Sequence, residues 1–260
     1  MEVYDNFAPY YDAFKREDDY RMLYSILKEI RKPYMSLSTS LVAWDIGTGT
    51  GAIARMLNED GFNTVGSDLS PAMIRQAKRQ SPRIRYLISD IRAGGIGCDC
   101  VDLAVAIDDV FNCLTTCKEL RQALSHVASS LKKGGLLQFD LVCDSGFQSY
   151  MSEVRYRDYE RIKFLTYPLN NISEYSHDSY SMGCIVLALS GNGDYWEKRE
   201  YVFTEYPFPP AMVEEALCDV GLSIITRHVL TIGGSVAKCS LDSLPDYSSK
   251  ILYLCKKGGG

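Results

Sequence analysis

The strongest chemical signal in this 260-residue chain is Gly47-Thr48-Gly49-Thr50-Gly51, five residues at the end of one short apolar run. Glycines at that spacing let the backbone turn sharply and let a ligand approach without interference from Cβ atoms. Such a turn also aims backbone N–H groups at whatever lies over the N-terminus of the following helix. Asp68 ends the next strand-like run about 20 residues on, where a carboxylate can accept both hydroxyls of a ribose. Together these residues imply an adenosine-containing cofactor on a Rossmann-like sheet, and they leave its kind open.

Gly47, Gly49 and Ala52 also satisfy the dinucleotide pattern G-x-G-x-x-A, so a dinucleotide-dependent oxidoreductase is the rival reading. Three features favour S-adenosylmethionine (SAM). Asp45 lies two residues before the first glycine, an awkward neighbour for a pyrophosphate and a good one for a sulfonium or amino group. Asp90-Ile91 follows the third strand, where a carboxylate and the next N–H can read an adenine edge; capping a turn is the competing role for Asp90. The chain also lacks the second mononucleotide half that a dinucleotide fold continues into.

Asp108, Asp109 and Asn112 follow a fully apolar strand, at the carboxyl edge where open α/β sheets bind ligands. Two adjacent carboxylates there suit the positioning of a cationic or amine acceptor; capping or loop solvation would place the same residue types there. The position does not read N-P-P-Y or D-P-P-Y, which disfavours methylation of nucleic-acid bases.

The elements that must hold these residues alternate. Residues 4–30 read as one or two helices closed by Pro33. LVAWDIGTGTG is a buried strand entering a turn, and a helix bearing Ile53, Ala54, Met56 and Leu57 runs to Gly61. Further strands are expected at 62–67, 84–89, 101–107 and 136–142, with Ser70 and Pro71 opening one helix and 117–131 forming another. Strand-like runs VRYRDYERIKF, GCIVLALS and REYVFTEY then interrupt the pattern, with turn signals at Pro168, Asn170-Asn171 and Gly191–Asp194. A helix in PPAMVEEALCDVGL and strands LSIITRHV and ILYLCKK close the chain, whose last three glycines read as a disordered end. The expectation is an α/β, Rossmann-like, doubly wound and mostly parallel seven-stranded sheet. Residues 1–142 and 209–257 would form the cofactor domain, with 1–35 as a helical cover. Residues 143–208 would be an antiparallel β insertion between strand 5 and the following helix, serving as lid or substrate platform.

A net charge of −5 argues against nucleic acid or a membrane surface as partner, since both are anionic. No apolar run approaches the ~20 residues of a membrane span, and MEVYDNFAPYYDAF lacks a signal peptide's apolar region, so a cytoplasmic location is expected. Nine scattered cysteines read as reduced thiols, and with three histidines and no paired ligand spacing no metal site is expected. A homodimer is left open.

DIGTGTGAIARML, VGSDLSPAMIRQAKRQ and SDIRA together resemble the class I SAM-dependent methyltransferases over residues 41–142. YDNFAPYYDAF, DDVFNCL and GLLQFDL are similar to the leader, the post-strand-4 segment and the fifth strand of a bacterial small-molecule subgroup. The insertion is similar in layout to that of glycine and amino-sugar N-methyltransferases. The resemblance implies that Tyr11, with Tyr4, covers the methionine end of SAM; packing the N-terminal helix is the plain alternative for these rings, as for Phe7 and Tyr10. It further implies that Asp45, Gly47 and Gly49 hold the amino and carboxylate groups, that Asp68 binds ribose, and that Leu69 and Met73 pack on adenine. Asp90 and Ile91 would read the adenine edge, and Ile107 would contact the donor. That group often carries a histidine in an acidic strand of the insertion; REYVFTEY has none, which argues against a histidine base. The expected function is methyl transfer by in-line displacement to nitrogen or oxygen of a small metabolite, with amine favoured. A SAM-binding protein without turnover is the remaining alternative.

Overall fold

The computed structural model describes residues 2–35, 41–150, 152–169, 179–231, 235–239 and 248–258. The turn expected at Asn170-Asn171 and the final two glycines lie outside the described residues.

Five parallel strands form the heart of the molecule: β1 (Val42–Ile46), β2 (Asn63–Asp68), β3 (Arg85–Ile88), β4 (Val101–Ala106) and β5 (Leu131–Val142). Three antiparallel strands extend the sheet beyond β5: β12 (Ser248–Lys257), β10 (Leu222–Thr231) and β11 (Val236–Lys238). The order is β11-β10-β12-β5-β4-β1-β2-β3, so the winding reverses between β1 and β4. A crevice at the carboxyl ends of strands is created at such a reversal. The sheet is one strand wider than the seven expected, because β11 has only three residues, too few to leave a periodic signal.

The apolar runs are continuous because both faces are covered. Ala104 and Ala106 of β4 face α5 (Cys117–Ser130) and α7 (Pro210–Asp219), while Leu103 and Val105 face α2 (Glu17–Arg31) and α3 (Ala52–Glu59). Local chemistry fixes the helix ends. Ser70 Oγ accepts the Met73 N–H at 3.1 Å to open α4 (Pro71–Gln80), and Gly61, at φ +91°, lies beyond the end of α3. The fifth strand starts at Leu131 rather than 136, because Lys132 leaves α5 directly to grip Asp102 at 2.8 Å.

After β5 comes α6 (Asp144–Tyr150), a two-turn helix that the sequence pattern does not announce. Strands β6 (Arg155–Tyr159), β7 (Ile162–Pro168), β8 (Tyr180–Leu189) and β9 (Trp196–Glu205) then form a separate antiparallel sheet in that order. Its inner face packs on α1 (Glu2–Phe14): Phe7 meets Phe164, Tyr201 and Phe203 with ring centroids 5.0–6.4 Å apart. Thus the N-terminal helix is held between the second sheet and the carboxyl edge of the first. Among the described residues no helix is long and apolar enough to cross a membrane.

Candidate cofactor and acceptor site

The glycine turn joins β1 to α3 with Gly47, Gly49 and Gly51 all at positive φ. A Cβ on Gly47 would lie 2.6 Å from Val110 Cγ2, and one on Gly51 would lie 2.6 Å from the Tyr86 hydroxyl. Only glycine fits either place. The Gly49 N–H donates to Asp68 at 2.8 Å, and Asp68 also accepts the Ser70 N–H at 2.8 Å, tying the turn to the end of β2. Burial nevertheless raises the Asp68 carboxyl. Asp45 is buried beneath the turn, where the Thr48 hydroxyl donates to it at 2.6 Å. Burial pushes its carboxyl up to about 7. No cation pairs with Asp45 among the described residues, so a positively charged ligand group would relieve that cost.

Tyr11 of α1 lies over the turn, its ring 3.6 Å from where a Gly49 Cβ would be. Ser70 and the Ala72 N–H donate to Asp5, and Thr50 and Gln80 donate to Asp12; these four bonds anchor α1. A small cavity of about 30 Å³ is bounded by Asp45, Gly47, Thr48, Ile107, Tyr11, Tyr20 and Asp108. A second cavity of about 340 Å³ shares Tyr11, Tyr20 and Asp108 with it. These three side chains therefore form the partition between the two spaces, and they are hydrogen-bonded as a chain, Tyr11 to Tyr20 at 2.9 Å and Tyr20 to Asp108 at 3.1 Å. The larger cavity is lined by aromatic rings from α1, α6 and the second sheet, including Tyr4, Phe7, Phe147, Tyr150 and Phe203.

Asp108 and Asp109, just beyond β4, have consecutive left-handed backbones with φ of +70° and +69°. Non-glycine residues adopt this conformation where the surroundings enforce it. The enforcement is electrostatic. Asp140 of β5 accepts the Asp108 N–H at 2.7 Å, and Lys250 of β12 lies 3.3 Å from Asp108, 2.6 Å from Asp109 and 2.9 Å from Asp140. Lys15 reaches Asp108 at 2.7 Å from the end of α1. Burial opposes ionisation of Asp108, but Lys15 and Lys250 outweigh it and hold the carboxyl well below its usual range. Burial dominates at Asp109 and raises it.

Several expectations change here. Asn112 does not face an acceptor: it is fully buried, giving its amide N–H to the Tyr206 carbonyl at 2.9 Å and accepting the Val142 N–H at 3.0 Å. It is a strut between β5 and the end of β9. Asp108 is spent on Lys15, Lys250 and Tyr20 rather than open to a ligand. Asp90 accepts the Arg92 N–H at 2.9 Å and grips the Arg92 guanidinium, so the turn-capping alternative describes it; the Ile91 carbonyl meets His126 Nδ1 at 2.8 Å. Met73 is buried in the α4 core, while Leu69 beside Asp68 is half-buried and open to a ligand.

Lys250, Asp140, Lys15, Tyr20 and Glu205 escaped the sequence reading. The lysine that precedes ILYLC in SSKILYLCKK and the lone aspartate in LLQFDLV are charges beside or within apolar runs, which was the available signal. Glu205, at the end of β9, lines the larger cavity and has no hydrogen-bond or ion-pair partner among the described residues. Burial pushes it up to about 7, against the pull of Lys15 and Lys250.

The chain also matches known proteins. A methyltransferase-domain family matches residues 43–135, the stretch from β1 to the start of β5. A protein of Geobacillus sp. (strain WCH70) that bears the name methyltransferase is 24% identical over 86% of this chain and 90% of its own length. A SAM-dependent methyltransferase from Clostridium acetobutylicum has the same fold at a TM-score of 0.78, with 22% identity and 98% and 99% of the two chains covered. An amino pentose methyltransferase from Micromonospora echinaspora, solved with SAM bound, superposes at 0.67 with 18% identity over 95% and 96%. The cradle fits that cofactor: a Cβ-free turn, a buried carboxylate with no cation among the described residues, and a second carboxylate, Asp68, at the end of β2. Residues 43–135 carry a methyltransferase domain, the whole chain has the fold of SAM-dependent methyltransferases, and SAM is the cofactor.

Proposed function

We propose that this methyltransferase acts on the nitrogen of a small-molecule amine. The observation that carries the reading is Glu205, a carboxylate on the aromatic wall of the larger cavity with no hydrogen-bond or ion-pair partner among the described residues. Lys15 and Lys250 are held by Asp108, Asp109 and Asp140, and the exposed Arg155 and Arg157 pack over rings. An unpaired carboxylate among rings attracts an ammonium group and repels a carboxylate. The amino pentose methyltransferase among the structural neighbours is consistent with a nitrogen acceptor.

SAM brings an already activated methyl group, so the protein's work is alignment and exclusion of water, worth ~7–11 kcal/mol in favourable cases. Asp45, Gly47 and Gly49 would seat the methionine end and Asp68 the ribose, with Leu69 against the adenine. Tyr11 and Tyr20, at the partition, would keep water from the transfer line. The segment 143–208 would supply the acceptor's walls, while 1–35 covers the cofactor. Asp109 would hold Lys250 in place, and Asp108 would hold Lys15 and Tyr20.

The test is formation of S-adenosylhomocysteine by purified protein given SAM and matched acceptors, for example benzylamine, benzyl alcohol and benzoate. Turnover with amines alone is expected. Turnover confined to alcohols or carboxylates would overturn the nitrogen assignment.

A further inference from the structure

We infer that Glu205 is the specificity-determining residue of the acceptor site, the carboxylate that pairs with the incoming ammonium group. This rests on the amine reading above and assigns it to one side chain. The geometry supplies the argument by elimination. Asp108 is saturated by Lys15, Lys250 and Tyr20, Asp109 is held by Lys250, and Asp140 is fully buried behind that lysine. Asp19 also lines the cavity but is solvent-exposed; of the carboxylates withdrawn from solvent there, only Glu205 has no hydrogen-bond or ion-pair partner among the described residues. It projects from the end of β9, next to Tyr206, whose N–H donates to the Asn112 carbonyl at 2.7 Å. The Asn112 strut therefore fixes the strand end that carries Glu205, and the site is placed by backbone rather than by a mobile loop.

The charged and titratable groups around Glu205 come from every neighbouring element. Lys15 and Tyr4 come from α1, Asp108 and Asp109 from the end of β4, and Cys113 from the segment after it. Asp140 of β5, Lys250 of β12, and Arg155 and Arg157 of β6 complete the set. Arg155 packs over the Tyr150 ring and Arg157 over the Phe14 ring, both on the exposed side of the cavity. In the empty site burial disfavours the ionised form of Glu205 and holds it at about 7, against the pull of Lys15 and Lys250. An ammonium group entering the cavity reverses that balance. Glu205 then gives up its proton to solvent and the ion pair forms inside an aromatic enclosure; before transfer the ammonium proton passes to Glu205, which leaves the nitrogen lone pair free to take the methyl group. Selectivity follows, because a neutral alcohol leaves Glu205 protonated and gains no ion pair.

Benzylammonium and benzyl alcohol, titrated calorimetrically into protein saturated with S-adenosylhomocysteine near pH 7 in buffers of different ionisation enthalpy, separate the outcomes. The wild type should bind benzylammonium about tenfold or more tightly than the alcohol and release a fraction of a proton. Glu205→Gln should lose both the preference and the proton release, with S-adenosylhomocysteine affinity unchanged, and Glu205→Asp should restore part of the preference. Wild-type preference that survives intact in Glu205→Gln would overturn the assignment while leaving the amine reading standing. A wild type that binds the two probes equally would overturn the amine reading and the role of Glu205 together.

Discussion

Asp45 is a buried carboxylate that is costly to the empty protein, and in the proposed reading it is useful to the loaded one. Its folded carboxyl is raised to about 7, so below that value the fold takes up a proton that the unfolded chain releases near its ordinary range. The cost of the buried charge therefore grows as pH rises from the usual carboxylate range to about 7 and is constant above it. Asp45→Asn should leave the thermal midpoint of the cofactor-free protein at pH 8 unlowered, yet weaken SAM at least about tenfold. Thermal denaturation and calorimetric titration check the two halves; a large fall in stability with SAM affinity intact would show that Asp45 is merely structural. At this scale the sequence was legible where chemistry is local. Asp45, the glycines and Asp68 lie within two consecutive strands and their turns. Lys250 was not legible, because its three carboxylate partners lie more than a hundred residues away and only the sheet order brings them together. Glu205 was hidden for the same reason: one of the two acids in REYVFTEY gives no sign that it faces a cavity.

In the proposed placement of the cofactor, the elements around it are a turn and a covering helix. The turn between β1 and α3 tolerates no side chain at Gly47, where φ is +65° and Val110 stands 2.6 Å from an added Cβ. Gly47→Ala should cost about 1–3 kcal/mol of stability in denaturant unfolding and abolish SAM binding. Unchanged unfolding would mean that the turn relaxes freely. The cover, α1, is held by Asp5 at the start of α4 and by Asp12 at Thr50 and Gln80. The double variant Asp5→Asn, Asp12→Asn should raise amide exchange across Glu2–Phe14 by about tenfold and speed SAM release, leaving the parallel sheet protected. Exchange equal to wild type would show that the aromatic contacts of Phe7 suffice alone. The strands and capped helices of the first half were readable from period and from Ser70, Pro71 and Gly61. By contrast, α6 and β11 are too short for a periodic signal and owe their form to packing against β12 and β10.

For the molecule as a whole, β12 inserts between β5 and β10, so the last strand of the chain carries the cation that neutralises the carboxyl ends of β4 and β5. The same strand thereby closes the sheet and completes the charge cluster. Lys250→Met removes the partner of buried aspartates and should cost about 3–5 kcal/mol at pH 8. The loss should shrink towards pH 5, because Asp109, already raised by burial, then takes up a proton and relieves the like-charge repulsion. Denaturant unfolding at both pH values checks this, and an equal deficit at each would contradict the electrostatic role. The parallel half was foreseeable from strand–helix alternation, whereas the second sheet's place over the cavity depends on aromatic packing against α1 that no spacing rule encodes. The central claim, methyl transfer to an amine nitrogen, is tested most directly by NMR of products formed from SAM labelled with ¹³C in its methyl group, using acceptors that carry both an amine and a hydroxyl. The account predicts label at the shift of an N-methyl carbon; label found only at an O-methyl carbon would contradict it.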